Sequence, residues 1–171
     1  MNYRHRIATL ADLPAIVAIY NTTIASREVT ADTEPVMVES RLAWFHEHTP
    51  ERRPLWIIEA ADDGSGQPEP LGWLSYSNFY GRPAYSGTAE LSVYIAESAR
   101  GKGIGAYGLT QAIAHAPAVG VHTVLGFIFG HNAPSLGLFK KFGFETWANL
   151  PKVANLDGVE RDLIILGKRV G

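Results

Sequence analysis

The chain has 171 residues, 46% of them hydrophobic and 19% charged, so it can fill the core of one domain and still present a charged surface. A formal net charge of −2 argues against a general nucleic-acid or membrane-surface binder. The absence of cysteine excludes disulfides, thiolate zinc sites and a cysteine nucleophile. We expect one domain over residues 1–171, no membrane span and, since no apolar signal region is present, a cytoplasmic location.

Apolar spacing predicts that helices and strands alternate in the first half of the chain. Thr9 and Asp12 form a capping-box pattern before apolar residues at helical spacing. Pro35 suits the first turn of a second helix. The predicted elements are a strand at 4–8, a helix reaching about Thr23, a helix from Pro35 that ends before Pro50, and strands at 55–59, 71–79 and 88–95. Residues 62–70, rich in Asp, Gly, Ser and Pro, predict an exposed, flexible hairpin connection.

The second half of the chain predicts a β-α-β unit followed by further strands. The predicted elements are a helix from Gly105 to about His115, a buried strand at 123–129, a helix at 135–142 closed by Gly143, and strands near 144–154 and 159–167. Antiparallel strands followed by a β-α-β unit indicate an α/β (α+β) fold with one mixed, mostly antiparallel sheet flanked by helices.

The strand at 88–95 places a carboxylate among apolar neighbours. Alternation sends Glu90, Ser92 and Tyr94 to the face opposite the one that carries Ala89 and Leu91. Burial raises the pKa of a carboxyl group, which suits removal of a proton from an ammonium group at working pH. Glu90 is therefore the candidate general base. The alternative is an acid on a solvated strand face.

A glycine-rich turn, Arg100-Gly101-Lys102-Gly103-Ile104-Gly105, joins a predicted strand to a predicted helix. Glycines let the backbone N–H groups converge, and a helix start adds its positive dipole end, so the turn suits a phosphate or pyrophosphate. No Asp or Glu occurs between Glu97 and Glu145, although chance could produce such a segment.

Three phosphate-binding patterns compete for this turn. GxxxxGK[ST] is absent, which excludes a P-loop. Residues 103–108 match GxGxxG, but the acidic residue that a dinucleotide fold needs ~20 positions further on is missing. The remaining pattern, R-x-x-G-x-G after a strand, resembles the pyrophosphate-binding motif of the GCN5-related N-acetyltransferase (GNAT) superfamily, which grips coenzyme A.

Further motifs extend this resemblance over most of the chain. Asn132-Ala133-Pro134-Ser135 is similar to the family's second coenzyme A element, beside the pantetheine arm. The chain most resembles the branch of phosphinothricin, methionine sulfone and methionine sulfoximine acetyltransferases. The residues that carry this likeness are Phe79, Arg82 and Tyr85 before Thr88-Ala89-Glu90, Asn21 in the first predicted helix, and Arg41-Leu42-Ala43-Trp44-Phe45 in the second.

The resemblance implies an acetyl-CoA-dependent enzyme that transfers acetyl directly to the amine of a small amino-acid-like substrate. It implies Glu90 as the base, Phe79, Arg82 and Tyr85 at the substrate, and a homodimer that needs no metal and binds no nucleic acid. The residues implied for acetyl-CoA are Val93, Tyr94, Ile95, Arg100, Gly101, Lys102, Gly103, Ile104, Gly105, Ala106, Asn132 and Ser135.

Two positions depart from the family pattern. Phe139 stands where relatives carry a Tyr or His that protonates the leaving thiolate, so the general acid stays open. Glu160 and Arg161 precede Asp162-Leu163 where relatives often have an aromatic residue, so the exact substrate stays open. The alternatives are an acetyltransferase for polyamines or protein N-termini, and a non-catalytic acyl-CoA-binding sensor. The six histidines show no spacing typical of a metal site.

Overall fold

The computed structural model describes residues 2–61, 64, 66 and 68–171. The strands are β1 (Tyr3–Ile7), β2 (Leu55–Ala60), β3 (Gly72–Asn78), β4 (Thr88–Ile95), β5 (Thr123–Phe129), β6 (Glu145–Leu156) and β7 (Val159–Arg169). The helices are α1 (Leu13–Asn21), α2 (Leu42–His46), α3 (Ile104–His115) and α4 (Ala133–Lys141). Short 3-10 turns occur at Leu10–Asp12, Val38–Arg41, Pro83–Tyr85, Glu97–Ala99 and Ala116–Val119.

Within the described part of the chain, all seven strands form one sheet in the order β1-β2-β3-β4-β5-β7-β6. Neighbouring strands run antiparallel except β4 and β5, which α3 connects and which pair in parallel. The predicted mixed, mostly antiparallel sheet is confirmed. The parallel pairing extends only from Thr88 to Glu90, so β4 and β5 separate beyond that point.

Helices cover both faces of the sheet. On one face, α3 packs closely, since a β-carbon at Gly108 would lie 3.2 Å from Ile58 Cδ1 and 3.3 Å from Leu74 Cδ1. On the other face, a smaller cluster that includes Ile16 of α1 and Trp73 of β3 holds the α1–α2 segment against the sheet. The indole N–H of Trp73 donates to the Ile16 carbonyl at 3.1 Å, which fixes α1 above β3.

The second helical segment begins later than predicted. It starts at Val38, not at Pro35, because the Asn21 side chain forms hydrogen bonds with both the N–H and the carbonyl group of Val36. The Val36 N–H donates to Asn21 Oδ1 at 2.9 Å, and Asn21 Nδ2 donates to the Val36 carbonyl at 3.1 Å. The predicted flexible connection at 62–70 includes residues 62, 63, 65 and 67, which lie outside the described residues.

Candidate active site

Strand β4 places Glu90 in a largely desolvated position on the α1–α2 face of the sheet. Burial raises the pKa of the Glu90 carboxyl, and the Ser92 hydroxyl, which donates to Glu90 Oε2 at 3.3 Å, opposes this rise only in part. Alternation puts Ala89 and Leu91, both buried, in the core on the opposite face. The predicted separation of faces along β4 is therefore present, and Glu90 has the environment of a proton acceptor.

Two cavities meet at Glu90. One, of ≈ 190 Å³, lies beneath α1 and α2, and the other, of ≈ 450 Å³, lies between the segment after α1 and strands β5 and β6. Glu90, Ser92 and Tyr94 line both cavities. A ligand in either cavity would therefore contact the same face of β4, so these cavities can receive an acceptor next to the carboxylate.

A third, narrow cavity of ≈ 60 Å³ occupies the gap where β4 and β5 separate. Ser92 and Tyr94 line this gap as well, so the gap shares these two side chains with the cavities at Glu90. The Ala96 N–H donates to the Leu71 carbonyl at 2.8 Å on the β3 side. Strand alternation then directs the backbone groups of Val93 and Ile95 into the gap, and those of Tyr94 towards β3.

The glycine-rich turn precedes α3, whose start is next to the end of β4, since a β-carbon at Gly105 would lie 3.4 Å from Ile95 Cδ1. Gly101 and Gly103 have φ values of +74° and +82°, conformations that favour glycine, and a β-carbon on either would meet nothing within 4 Å. Among the described residues, no side chain caps α3. Its first N–H groups, with Arg100 and Lys102 nearby in the chain and exposed, are available to an anion.

The other residues of the turn anchor it. Ile104 is buried in the main core, and Ala106 follows in the first turn of α3. A β-carbon at Gly105 would lie 2.9 Å from Leu138 Cδ2, so this glycine permits the close packing of α3 on α4. The Tyr3 hydroxyl donates to the Lys102 carbonyl at 2.6 Å and ties the turn to β1.

Asn132 and Ser135 lie across the gap, at the start of α4. The buried Asn132 side chain caps the helix, since its Oδ1 accepts the Ser135 N–H at 3.3 Å. Both residues line the gap together with Phe139. The structure therefore brings Asn132 and Ser135 opposite the free edge of β4.

The three predicted substrate residues divide into two groups. Phe79 packs on Phe127 with ring centroids 6.5 Å apart and on Tyr85 at 5.7 Å, and Phe127 lines the ≈ 450 Å³ cavity with Glu90. Arg82 is exposed and lines a separate surface cavity of ≈ 400 Å³. The structure thus places Phe79 and Tyr85 beside the walls of the site and Arg82 on the outer side of the same loop.

Sequence patterns did not identify the other walls of the ≈ 190 Å³ cavity. Tyr20 of α1, Arg41 just before α2, and Trp44 of α2 line it opposite Glu90. Periodicity assigns Tyr20 to the apolar face of α1 but does not say which distant segment covers it. Only the packing of α1 and α2 over the same strands reveals the cavity.

A sequence model for the acetyltransferase (GNAT) family matches residues 16–144, which contain Glu90, the glycine-rich turn and the start of α4. The chain belongs to the GNAT family. Enzymes of this family use acetyl-CoA, so this acetyltransferase has acetyl-CoA as its co-substrate.

Individual relatives agree with the family. The acetyltransferase is 53% identical over 165 residues to the Bacillus subtilis protein YwnH, covering 96% of this chain and 98% of that protein. It is 35% identical over 161 residues to the L-methionine sulfoximine/L-methionine sulfone acetyltransferase of Pseudomonas aeruginosa, covering 94% and 91% of the two chains. A crystal structure of the Sinorhizobium meliloti phosphinothricin acetyltransferase in complex with acetyl-CoA superimposes with a TM-score of 0.89 at 26% identity, covering 100% and 90%.

The acetyltransferase has an exposed turn with two basic residues, a β4 edge that β5 does not pair beyond Glu90, and a narrow gap between β4 and β5. Within the described residues, no group of three or more His, Cys, Asp or Glu side chains could hold a metal ion. No helix in the described part of the chain is long and apolar enough to span a membrane.

Proposed function

We propose that this acetyltransferase acetylates the amine of a small amino-acid-like acceptor such as phosphinothricin, methionine sulfoximine or methionine sulfone. The observation that carries the proposal is the meeting of three cavities on one face of β4, where Ser92 and Tyr94 line all three. Glu90 lies where the two acceptor cavities join. Relatives that act on oxidised methionine analogues support this acceptor class.

We assign acetyl-CoA to the gap between β4 and β5 and to the glycine-rich turn. Gly101, Gly103 and the first N–H groups of α3 hold the pyrophosphate, with charge from Arg100 and Lys102. Ile104, Gly105 and Ala106 shape that helix start. Val93 and Ile95 pair with the pantetheine arm, Tyr94 lies behind them, and Asn132 and Ser135 close the opposite side. When bound, acetyl-CoA supplies an activated acetyl group as a thioester.

Glu90 accepts the proton from the acceptor's ammonium group, directly or through one water. An amine attacks only when it is unprotonated, and a carboxylate with a raised pKa is a better proton acceptor near neutral pH than an ordinary one. The N–H groups of the β4 edge are already fixed in the strand, so they stabilise charge that develops on the acetyl oxygen. Transfer is direct: the amine nitrogen bonds to the acetyl carbon, the C–S bond of the thioester breaks, and the departing thiolate takes up the second proton of the nitrogen through solvent. The chain contains no cysteine that could carry the acetyl group.

We assign Phe79 and Tyr85 to an aromatic wall behind Phe127 of the ≈ 450 Å³ cavity, and Arg82, which lines a separate surface cavity, to a cation on the same loop. A guanidinium binds a carboxylate through two parallel N–H donors, which suits the α-carboxylate of an amino acid. The role of Arg82 remains a prediction that Arg82→Gln tests. This variant should have a higher KM for methionine sulfone and an unchanged affinity for acetyl-CoA.

The alternative acceptors fit this site less well. A polyamine needs several carboxylates, whereas Glu90 is the only acidic residue among the described residues that line the two acceptor cavities. A non-catalytic acyl-CoA sensor has no need of a buried carboxylate at the junction. Partial burial of a carboxylate costs stability, and a base for the reaction explains why that cost is present.

We also propose that residues 1–171 act as one N-acetyltransferase domain, that the enzyme is a homodimer, and that it is cytoplasmic. Exposed apolar side chains on β6 and β7 support the dimer, namely Trp147, Leu150, Val153 and Val159. Val153 also lines the ≈ 450 Å³ cavity, so a partner on this face would border the acceptor. Sedimentation of the protein, with Trp147→Ser as the variant that should dissociate, tests the assembly.

The deciding experiment measures release of the coenzyme A thiol from acetyl-CoA. The panel contains phosphinothricin, methionine sulfoximine, methionine sulfone, ordinary amino acids, spermidine and short peptides. Turnover confined to the first three supports the proposal. Preference for spermidine or a peptide overturns the acceptor class but leaves the acetyl-CoA site intact. Tight acetyl-CoA binding without turnover of any amine favours the sensor.

A further inference from the structure

The ≈ 190 Å³ cavity beside Glu90 contains one cation. Among the described residues that line the two acceptor cavities, Arg41 is the only basic one, as Glu90 is the only acidic one. Where β3 and β4 meet, Ser75, Ser77 and Ser92 add hydroxyls, while Trp44 and Trp73 are among the apolar walls. The single guanidinium and the three hydroxyls suit an oxygen-rich group of a ligand, and the aromatic walls suit its apolar part.

Arg41 is held in a fixed position. Its Nη2 donates to Asp32 Oδ2 at 3.1 Å, and its guanidinium carbon lies 5.1 Å from the centroid of the Tyr20 ring. The Tyr20 hydroxyl in turn donates to Asp32 and contacts Thr30. Contacts on two sides restrict the rotamers of this long side chain, so a ligand that binds it loses less conformational freedom.

The guanidinium also has hydrogen-bonding capacity left. Arginine carries five N–H donors, and within the described part of the chain one hydrogen bond from Arg41, to Asp32, is present. Asp32 is partly exposed, with 41% of its side-chain surface accessible, so water competes for it. The pair is therefore a positioned donor with spare N–H groups and not a closed, buried ion pair.

We propose that Arg41 recognises an acidic or strongly polar oxygen group of the acceptor inside this cavity, and so determines which amines reach Glu90. This inference rests on the proposed function, because it assigns a binding role for the same reaction. Two groups of the proposed acceptors have the required chemistry, the α-carboxylate and the oxidised head group of the side chain. Arg41 is a specificity residue in either case.

Three acceptors separate the two sources. Methionine sulfone carries both groups, methionine sulfone amide lacks the carboxylate charge, and methionine lacks the sulfone oxygens. Arg41→Gln should raise the KM for methionine sulfone about 10- to 100-fold, the range of a charge-assisted hydrogen bond, while kcat and acetyl-CoA affinity change little. If Arg41→Gln no longer prefers methionine sulfone to methionine sulfone amide, Arg41 binds the α-carboxylate. If Arg41→Gln no longer prefers methionine sulfone to methionine, Arg41 binds the oxidised head group.

Asp32→Asn distinguishes recognition from a structural tether. If Arg41 binds the acceptor, the KM is unchanged or lower, because the Asn oxygen can still accept the Arg41 N–H and hold the side chain while the competing charge is gone. If Arg41 only fastens the segment after α1, the two variants break the same ion pair and raise the KM equally. The control is Arg6→Gln, which removes the Arg6–Asp12 and Arg6–Glu59 ion pairs. Neither Arg6 nor its two partners lines a cavity at Glu90, so all kinetic constants should stay unchanged.

The outcomes separate this inference from the proposed function. If the wild-type enzyme turns over methionine sulfone and Arg41→Gln keeps the same acceptor preferences, the role of Arg41 is overturned and the proposed function stands. Equal KM increases in Arg41→Gln and Asp32→Asn also overturn it. No wild-type turnover of any amino-acid analogue overturns both. If Arg41→Gln does not fold, Arg41→Lys keeps the charge without the planar fork, and a KM increase there with an unchanged Asp32→Asn supports recognition.

Discussion

Gly126 and Phe139 contact each other so closely that a β-carbon at position 126 would lie 2.6 Å from Phe139 Cε2. The ring thus occupies the space next to β5, on the side where β4 and β5 separate, and packs edge-on against Phe144 at 4.9 Å. Phe139 therefore limits the width of the gap, and its side chain has no proton to donate to a leaving thiolate. The absence of a side chain at Gly126 of β5 leaves the space that the Phe139 ring of α4 fills.

Gly126→Ala should therefore destabilise the enzyme. The added methyl group must displace the buried Phe139 ring, and such overpacking costs about 1–3 kcal/mol. Thermal unfolding with and without acetyl-CoA measures the change. Gly137→Ala is the control, because a β-carbon there meets nothing within 4 Å and alanine favours the helix. Equal melting temperatures for wild type and Gly126→Ala would contradict the packing.

Glu90→Gln should lower kcat by about 10²- to 10⁴-fold, the range for loss of a general base, with little change in acetyl-CoA binding. The amide keeps the shape of the side chain but cannot take a proton. Steady-state kinetics and calorimetric titration of acetyl-CoA measure the two quantities. Glu145→Gln, an exposed change at the start of β6, is the control. Unchanged turnover across the pH range would remove Glu90 from the role of base.

The same substitution should stabilise the protein at neutral pH. Burial raises the folded-state pKa of Glu90, so the folded protein prefers the neutral carboxyl form. Stability from this preference is full below the unfolded pKa and is lost as the pH rises through the raised folded value. Glu90→Gln removes that loss, so its melting temperature should exceed that of wild type at pH 7 and match it at acid pH. A lower melting temperature at pH 7 would contradict the desolvated position.

Activity should show the raised pKa directly. The base works only as the carboxylate, so kcat/KM falls as the pH drops through the pKa of Glu90. The acid limb should lie above the pH expected for an unperturbed glutamate, about 4.3. Tyr94, which lines the same cavities, remains neutral through this range, since burial raises the pKa of its hydroxyl. A profile flat down to pH 5 would contradict the assignment.

Gly103→Val should weaken acetyl-CoA binding about 10- to 100-fold. Valine is strained at a φ of +82°, and its side chain would project into the open space where N–H groups converge. Loss of one charge-assisted hydrogen bond costs about 1.5–3 kcal/mol. Gly120→Val is matched, with a φ of +76° and nothing within 4 Å, but it lies at the other end of α3. Equal acetyl-CoA affinity for both variants would place the pyrophosphate elsewhere.

Sequence periodicity predicted the central strand of the site correctly. Strand β4 has the predicted bounds and the predicted division of faces, because alternation is local and each side chain follows from its neighbours. The predicted start of the second helical segment, at Pro35, was wrong, because the Asn21 side chain, 15 residues away in the chain, binds the Val36 backbone. Arg41 was noted only as part of a family-like motif. Its place opposite Glu90 depends on how two helices pack on the sheet, which no spacing along the chain contains.

The alternation of β4 ties both proposed substrate sites to one register. Side chains at even positions line the proposed acceptor cavities, while the backbone of Val93 and Ile95 faces the gap proposed for acetyl-CoA. Insertion or deletion of one residue in this strand would turn Glu90 into the apolar core and reverse the free edge at the same time. A different acceptor would therefore have to be accommodated by changes in the surrounding helices and loops, while β4 keeps its length and register.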